Sequence, residues 1–226
     1  MKRLARVVIV IVVLAVAVDF GAKLLVENLA ARALSSRRGV NGSVDVSFGG
    51  FPFLWSLKDR HFGSVTVEAE DVRADGIASA SDSDARMDSV RLELEDVAVE
   101  GDVWRDAAGG RVTATEGQGS AVIAQGVLNG LVPSEYSARV ALRDGSVLVT
   151  VGTTPAGPQE AEVAEDQVRL EAGAGSGTLV IEAPPPVGPI TIPLPALVDG
   201  VVFEDFDIRA RALELTFSVR EVKLEL

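Results

Sequence analysis

The chain has 226 residues, 47% of them apolar and only 5% aromatic, and a formal net charge of −12. A chain this acidic repels phosphate backbones in bulk, which sets nucleic acid aside as a partner. The absence of cysteine removes disulfides, thiolate metal sites and cysteine nucleophiles.

Lys2, Arg3 and Arg6 precede an unbroken apolar run over residues 7–18. This is the n-region and h-region pattern of a secretory signal, and Ala15-Val16-Ala17 supplies small residues at the cleavage spacing. A helix of about twelve residues spans about 18 Å, short of a ~30 Å hydrocarbon core. Leu4, Ala5 and residues 20–22 could lengthen it into a marginal anchor. Residues 1–18 are therefore expected to be a signal peptide or an N-terminal membrane anchor, with its positive end cytoplasmic. Residues 19–226 are expected to form one exported domain, on the outer side of the cytoplasmic membrane. Without the three N-terminal cations the net charge of −12 becomes −15 for that domain.

Asp19 is placed to cap a helix over residues 20–35. Ala22, Leu25, Val26, Leu29 and Ala33 fall within a ~100° arc, with Lys23 and Glu27 opposite. Arg37, Arg38 and Gly39 follow as a stop signal. After that the period is two. Val44, Val46 and Phe48 alternate with polar residues, as do Val65 and Val67, then Val90, Leu92 and Leu94. The phase slips at Asp96 before Val97 and Val99, which predicts a bulge or a bend. Val147, Val149 and Val151 form a strand, Leu179 and Ile181 a short one. Leu213, Leu215, Phe217 and Val219 form a long one, with a second slip before Val222 and Leu224. A helical period returns only near residues 124–132. Loops are expected at 75–88, 152–158, 173–177 and 183–195; the last holds six of the ten prolines. The fold class is α+β, with a long N-terminal helix packed in a strongly curved antiparallel sheet. Such a sheet encloses an apolar groove that is either filled by side chains or left as a tunnel for acyl chains.

The segment 49–62 crowds Phe51, Phe53, Leu54, Trp55 and Phe62 between Gly49, Gly50, Pro52 and a cationic end at Lys58, Arg60 and His61. Its glycines and proline argue against an ordinary helix or central strand. Rings in such a loop need an apolar surrounding: the protein's own core, a lipid, or a membrane. As a lipid site, the five apolar residues line or gate a groove and Lys58 and Arg60 meet the phosphate. As a plug, the same loop closes one end of a β-structure. Residue types alone leave both readings open.

No catalytic constellation stands out. His61 is the single histidine, no G-x-S-x-G serine elbow occurs, and one histidine cannot build a histidine-cluster metal site. Asp82-Ser83-Asp84 with Asp88 could suggest a Ca²⁺ loop, but the ligand spacing of an EF-hand is missing. Glycine-rich phosphate loops are absent too. No cofactor and no enzymatic activity are expected.

The run from Val18-Asp19-Phe20-Gly21-Ala22 into an Ala/Leu-rich helix is followed by Val44-Asp45-Val46, by Gly50-Phe51-Pro52-Phe53-Leu54 and by Phe62-Gly63-Ser64-Val65-Thr66-Val67. Together these resemble the LmeA-like phospholipid-binding proteins of actinobacteria. The later order looks similar as well: a strand, a short helix at 125–131 ending at Pro133, a hairpin, a proline-rich link and a final alternating strand. The resemblance implies a cell-envelope protein of the tubular lipid-binding (TULIP) type, linked to phosphatidylinositol-type lipids and to lipomannan elongation, with no catalytic residues. Asp59-Arg60 stands where the family usually has a glycine before its aromatic. The leading expectation is an exported, membrane-associated phospholipid-binding protein. The alternative is a non-catalytic module that binds an envelope membrane enzyme through a sheet edge or the proline-rich segment.

Overall fold

A computed structural model of the chain describes residues 2–35, 42–73, 86–100, 111–154, 157–173, 176–185, 187–194 and 201–225. Helix α1 (Lys2–Ser35) runs unbroken through the apolar block and past Asp19. It is followed by β1 (Val44–Gly49), α2 (Phe53–Asp59), β2 (His61–Arg73), β3 (Arg86–Glu100) and β4 (Arg111–Ala124). Helix α3 (Gln125–Leu131) leads to β5 (Ala138–Arg143), β6 (Ser146–Thr154), β7 (Gly157–Ala164), β8 (Val168–Gly173) and β9 (Ser176–Glu182). The chain closes with β10 (Pro189–Leu194), β11 (Val201–Arg209) and β12 (Ala212–Glu225).

The fold is α+β and its sheets are antiparallel. Six strands form the main sheet in the order β1-β2-β3-β4-β12-β11, and two three-stranded sheets have the orders β5-β6-β7 and β10-β9-β8. The main sheet is not closed: β1 and β11 are its edges, and α1 lies against β1. The expected helix enclosed by a curved sheet is therefore met only in part.

Cross-strand register aligns the alternating residues on one face. Val46 pairs with Val67 and Phe48 with Val65; Val65 pairs with Leu94, Val67 with Leu92, and Ala69 with Val90. The row continues through Ala121 to Leu215 and on to Phe206. Both expected slips fall at residues in the left-handed region, Asp96 (φ 56°) and Glu221 (φ 52°), and the strand register is the same on either side of each, so they are bends and not bulges. Each bend lets two buried residues three apart, Leu94 and Val97 or Val219 and Val222, face the same core.

Strand β4 has little apolar periodicity because its centre is glycine. A Cβ on Gly119 would lie 2.6 Å from Phe217 Cζ, and one on Gly117 would lie 2.7 Å from Leu94 Cδ2. The two glycines thus leave room for large side chains from the neighbouring strands. The proline-rich link also folds differently from the expected loop. Ile190, Ile192 and Leu194 are buried and pair with β9, while Pro189 and Pro193 take the exposed positions of an edge strand. There the missing N–H groups break no ladder. The expected loops at 152–158 and 173–177 tighten likewise, since their ends belong to β6, β7, β8 and β9.

Helix α3 is bound to the edge of β5 by its amides. Asn129 Oδ1 accepts from the Val140 N–H and its Nδ2 donates to the Val140 carbonyl, both at 2.7 Å; Gln125 Oε1 accepts from the Leu142 N–H at 2.8 Å. Two side chains thus replace a missing strand and cover that edge.

Replacing Gly119 by Ala should lower stability by about 1–3 kcal/mol through overpacking against Phe217. Gly126 in α3 has open space at its Cβ position, so Gly126→Ala should stabilise by about 0.4–1 kcal/mol. Urea unfolding of the two variants checks the contrast.

Candidate functional site

The segment 49–62 is not an irregular loop. Gly50 turns the chain with φ +106°, the Phe51–Pro52 bond is cis, and seven residues from Phe53 form α2. Arg60 ends that helix in the left-handed conformation, its N–H bonded to the Ser56 carbonyl. Its own carbonyl accepts from the Val99 N–H at 3.0 Å, which ties the C-terminal end of α2 to β3.

The N-terminal end is held by Asp19. Its Oδ2 accepts the Phe53 N–H at 2.9 Å and its Oδ1 accepts the Leu54 N–H at 2.8 Å. Asp19 is 5% exposed and lies in the middle of α1. The sequence places it as the cap of its own helix; it caps α2 instead. A helix N-terminus presents unpaired N–H groups and a partial positive charge, and a carboxylate satisfies both. Two turns on, Glu27 Oε1 accepts the Phe48 N–H at 2.9 Å and lies 3.7 Å from Lys23 Nζ.

These bonds fix which way α1 faces, and they reverse part of the sequence reading. Ala22 and Val26 pack on the core as expected, joined by Ala30 and Ala31. Leu25 and Leu29, expected on the same buried face, are exposed, whereas Lys23 and Glu27 turn toward the body. Carboxylates at positions 19 and 27 are needed at backbone N–H groups, and alanines allow α1 to approach β1. The side chain of Ala33 lies outside what is described.

The aromatic set divides. Phe53 and Phe62 are fully buried and form a cluster with Phe48, with ring centroids 4.8–6.0 Å apart. Phe51 (68% exposed), Leu54 (40%) and Trp55 (65%) project outward from the same turn and helix. Lys58 Nζ sits 5.4 Å from the Trp55 ring centroid, a cation–π distance. Arg60 is exposed at the end of the helix. Part of the segment is thus a plug in the core, and the plug holds out an apolar tip with cations behind it. The sequence singled out these residues but not Asp19, which lies 34 positions from Phe53; no spacing rule reaches that far.

Beyond the tip, the core face of β1–β3 becomes half-covered: Val67, Ala69, Val90 and Leu92 are partly exposed next to buried Val65 and Leu94. A separate groove over β3, β4, β11 and β12 is lined by Glu95, Glu116, Glu204 and Arg220. Its carboxylates make it a poor place for a phosphate.

His61 Nε2 is 2.8 Å from Asp96 Oδ1, both exposed, so the histidine, at the start of β2, pairs with the bend of β3. Among the described residues no group of three or more His, Cys, Asp or Glu side chains could hold a metal ion. Asp82, Ser83 and Asp84 lie outside the described residues.

In the comparison with protein families, a model described as LmeA-like phospholipid-binding aligns with residues 17–218. No curated protein and no solved structure matches the chain.

Replacing Asp19 by Ala leaves two donors at the head of α2 without their acceptor, one of them buried. The cost should be about 2–4 kcal/mol. Amide exchange at Phe53 and Leu54 should accelerate well before the central strands do, which checks that the loss is local.

Proposed function

The chain belongs to the LmeA-like phospholipid-binding family, and from that premise we propose that it is an exported, membrane-associated protein of the cell envelope that holds a phospholipid by its acyl chains. The observation that carries this reading is the apolar tip, where Phe51, Leu54 and Trp55 stand in solvent on a rigid base of buried Phe53 and Phe62. Such groups cost free energy in water and gain it in hydrocarbon.

In this reading the acyl chains enter between the tip and α1 and continue along the half-covered sheet face of Val67, Val90 and Leu92. That path gives the open sheet a tubular lipid-binding role. Lys58 and Arg60 stand at its mouth for the phosphate, and a phosphatidylinositol-type head-group is one that would fit outside the groove. Each apolar side chain moved from water into hydrocarbon contributes about 1.5–3 kcal/mol. An exposed ion pair adds up to about 1 kcal/mol. Chain capture therefore sets affinity, and head-group selection is loose. A protein of this kind has no bond to break or make; it would supply phospholipid to envelope glycolipid assembly of the lipomannan type. Residues 1–18 bring it to the membrane.

Transfer of phospholipid between liposomes tests this. Trp55→Asp should reduce transfer about tenfold or more, the loss of ~1.4 kcal/mol or more, with melting unchanged because the side chain is exposed. Lys58→Ala combined with Arg60→Ala should cost less than about fivefold, as expected for exposed charges. A larger loss from the cation pair than from Trp55 would mean that head-group recognition dominates.

A further inference from the structure

Helix α1 is amphipathic in the unusual sense. A helix on the surface of a protein in water turns its polar residues outward. Here the ionisable residues between positions 14 and 29 are Asp19, Lys23 and Glu27, at i, i+4 and i+8, and all three face the body. The outward side carries Leu14, Val18, Phe20, Leu24, Leu25 and Leu29, each between 57% and 68% exposed. At 3.6 residues per turn these six span an arc of about 180°. Asn28, bonded to the Leu24 carbonyl within its own helix, is the one polar side chain in that arc.

We propose that this outer face of α1 lies lengthwise on a lipid bilayer, in the plane of the interface, and carries the tip of α2 down with it. Three observations favour lipid over a protein partner. The apolar arc is wider than the narrow seam that pairs helices, and it lacks the polar rim of a protein interface. It continues in one unbroken helix from the apolar block at residues 7–18. Phe51 in the turn before α2, and Leu54 and Trp55 on α2, are exposed, and the two Asp19 bonds hold that helix directly against α1. Trp and Lys beside an apolar face of this kind are the residues that settle at a membrane–water boundary. The body is strongly acidic, but the two carboxylates on this stretch of α1 are turned inward, so no negative charge on the helix meets the membrane.

The proposal deepens the phospholipid-binding reading, since it says how the protein is laid against the membrane from which it draws lipid. It differs from an end-on arrangement, in which the helix enters the bilayer through residues 7–18 and leaves Leu25 and Leu29 in water.

The chain has no cysteine, so a single introduced cysteine can carry a unique environment-sensitive fluorophore. The full chain would be labelled at Leu14→Cys, Leu25→Cys or Leu29→Cys, with Glu160→Cys on β7 as the control. Each is reconstituted with phosphatidylcholine vesicles whose acyl chains carry bromine, a short-range quencher. The expected result is blue-shifted emission and strong quenching at 14, 25 and 29 alike, and neither at 160. Quenching at 14 with none at 25 and 29 would overturn the lengthwise arrangement. Shielding of 25 and 29 without bromine quenching, growing with protein concentration, would overturn it in favour of a second copy of the chain. Normal quenching in a chain that fails to transfer phospholipid would support the membrane face and sink the functional reading instead.

Discussion

The structure depends on one carboxylate placed inside a helix. Asp19 accepts two backbone N–H groups from the start of α2, across 34 and 35 residues of sequence. A charged acceptor shielded from water stabilises its two donors, and leaving them bare costs a few kcal/mol. That pair of bonds forces the Asp19 side of α1 toward the body. Glu27 repeats the device two turns later at the free edge of β1. Once those two positions are fixed, the rotation of the helix is fixed, and its leucines and Phe20 are turned away from the core.

The same contact organises the aromatic segment. Between the Asp19 bonds at one end and the Arg60–Val99 bond at the other, α2 cannot shift along the sheet. Phe53 and Phe62 drop into the core beside Phe48, and Phe51, Leu54 and Trp55 are left on the outer side by helical geometry alone. A rigid apolar tip results, set beside a helix that is apolar on its outer face. The rest of the sheet serves as a frame. Its edge at β1 is covered by α1, and the edge of β5 by the amides of Gln125 and Asn129.

Much of this was legible in the sequence, and what was missed has physical causes. Period-two patterns located β1, β2, β3, β6, β9 and β12, and the phase slips at Asp96 and before Val222 located two bends. The α3 helix was read correctly because Val127, Leu128 and Leu131 precede Pro133. Strand β4 was invisible because its glycines answer to Phe217 and Leu94, residues on other strands. Strand β10 was hidden by its prolines, which an edge position tolerates. The orientation of α1 was misread because an apolar arc was assumed to seek the core, whereas hydrogen-bond demand from α2 and β1 outweighed it. At the site, composition singled out Phe51, Phe53, Leu54, Trp55 and Phe62, but only packing separates the two that hold the structure from the three that meet the surroundings.

The role proposed for this chain is capture of phospholipid by its acyl chains at the surface so exposed. Native mass spectrometry of the folded chain, isolated from membranes in the mildest conditions that keep it dispersed, tests it most directly. Capture by the acyl chains predicts one phospholipid per chain, with mixed head-groups and a restricted range of acyl lengths. Folded protein carrying no lipid, or a single head-group with unrestricted chains, would contradict it.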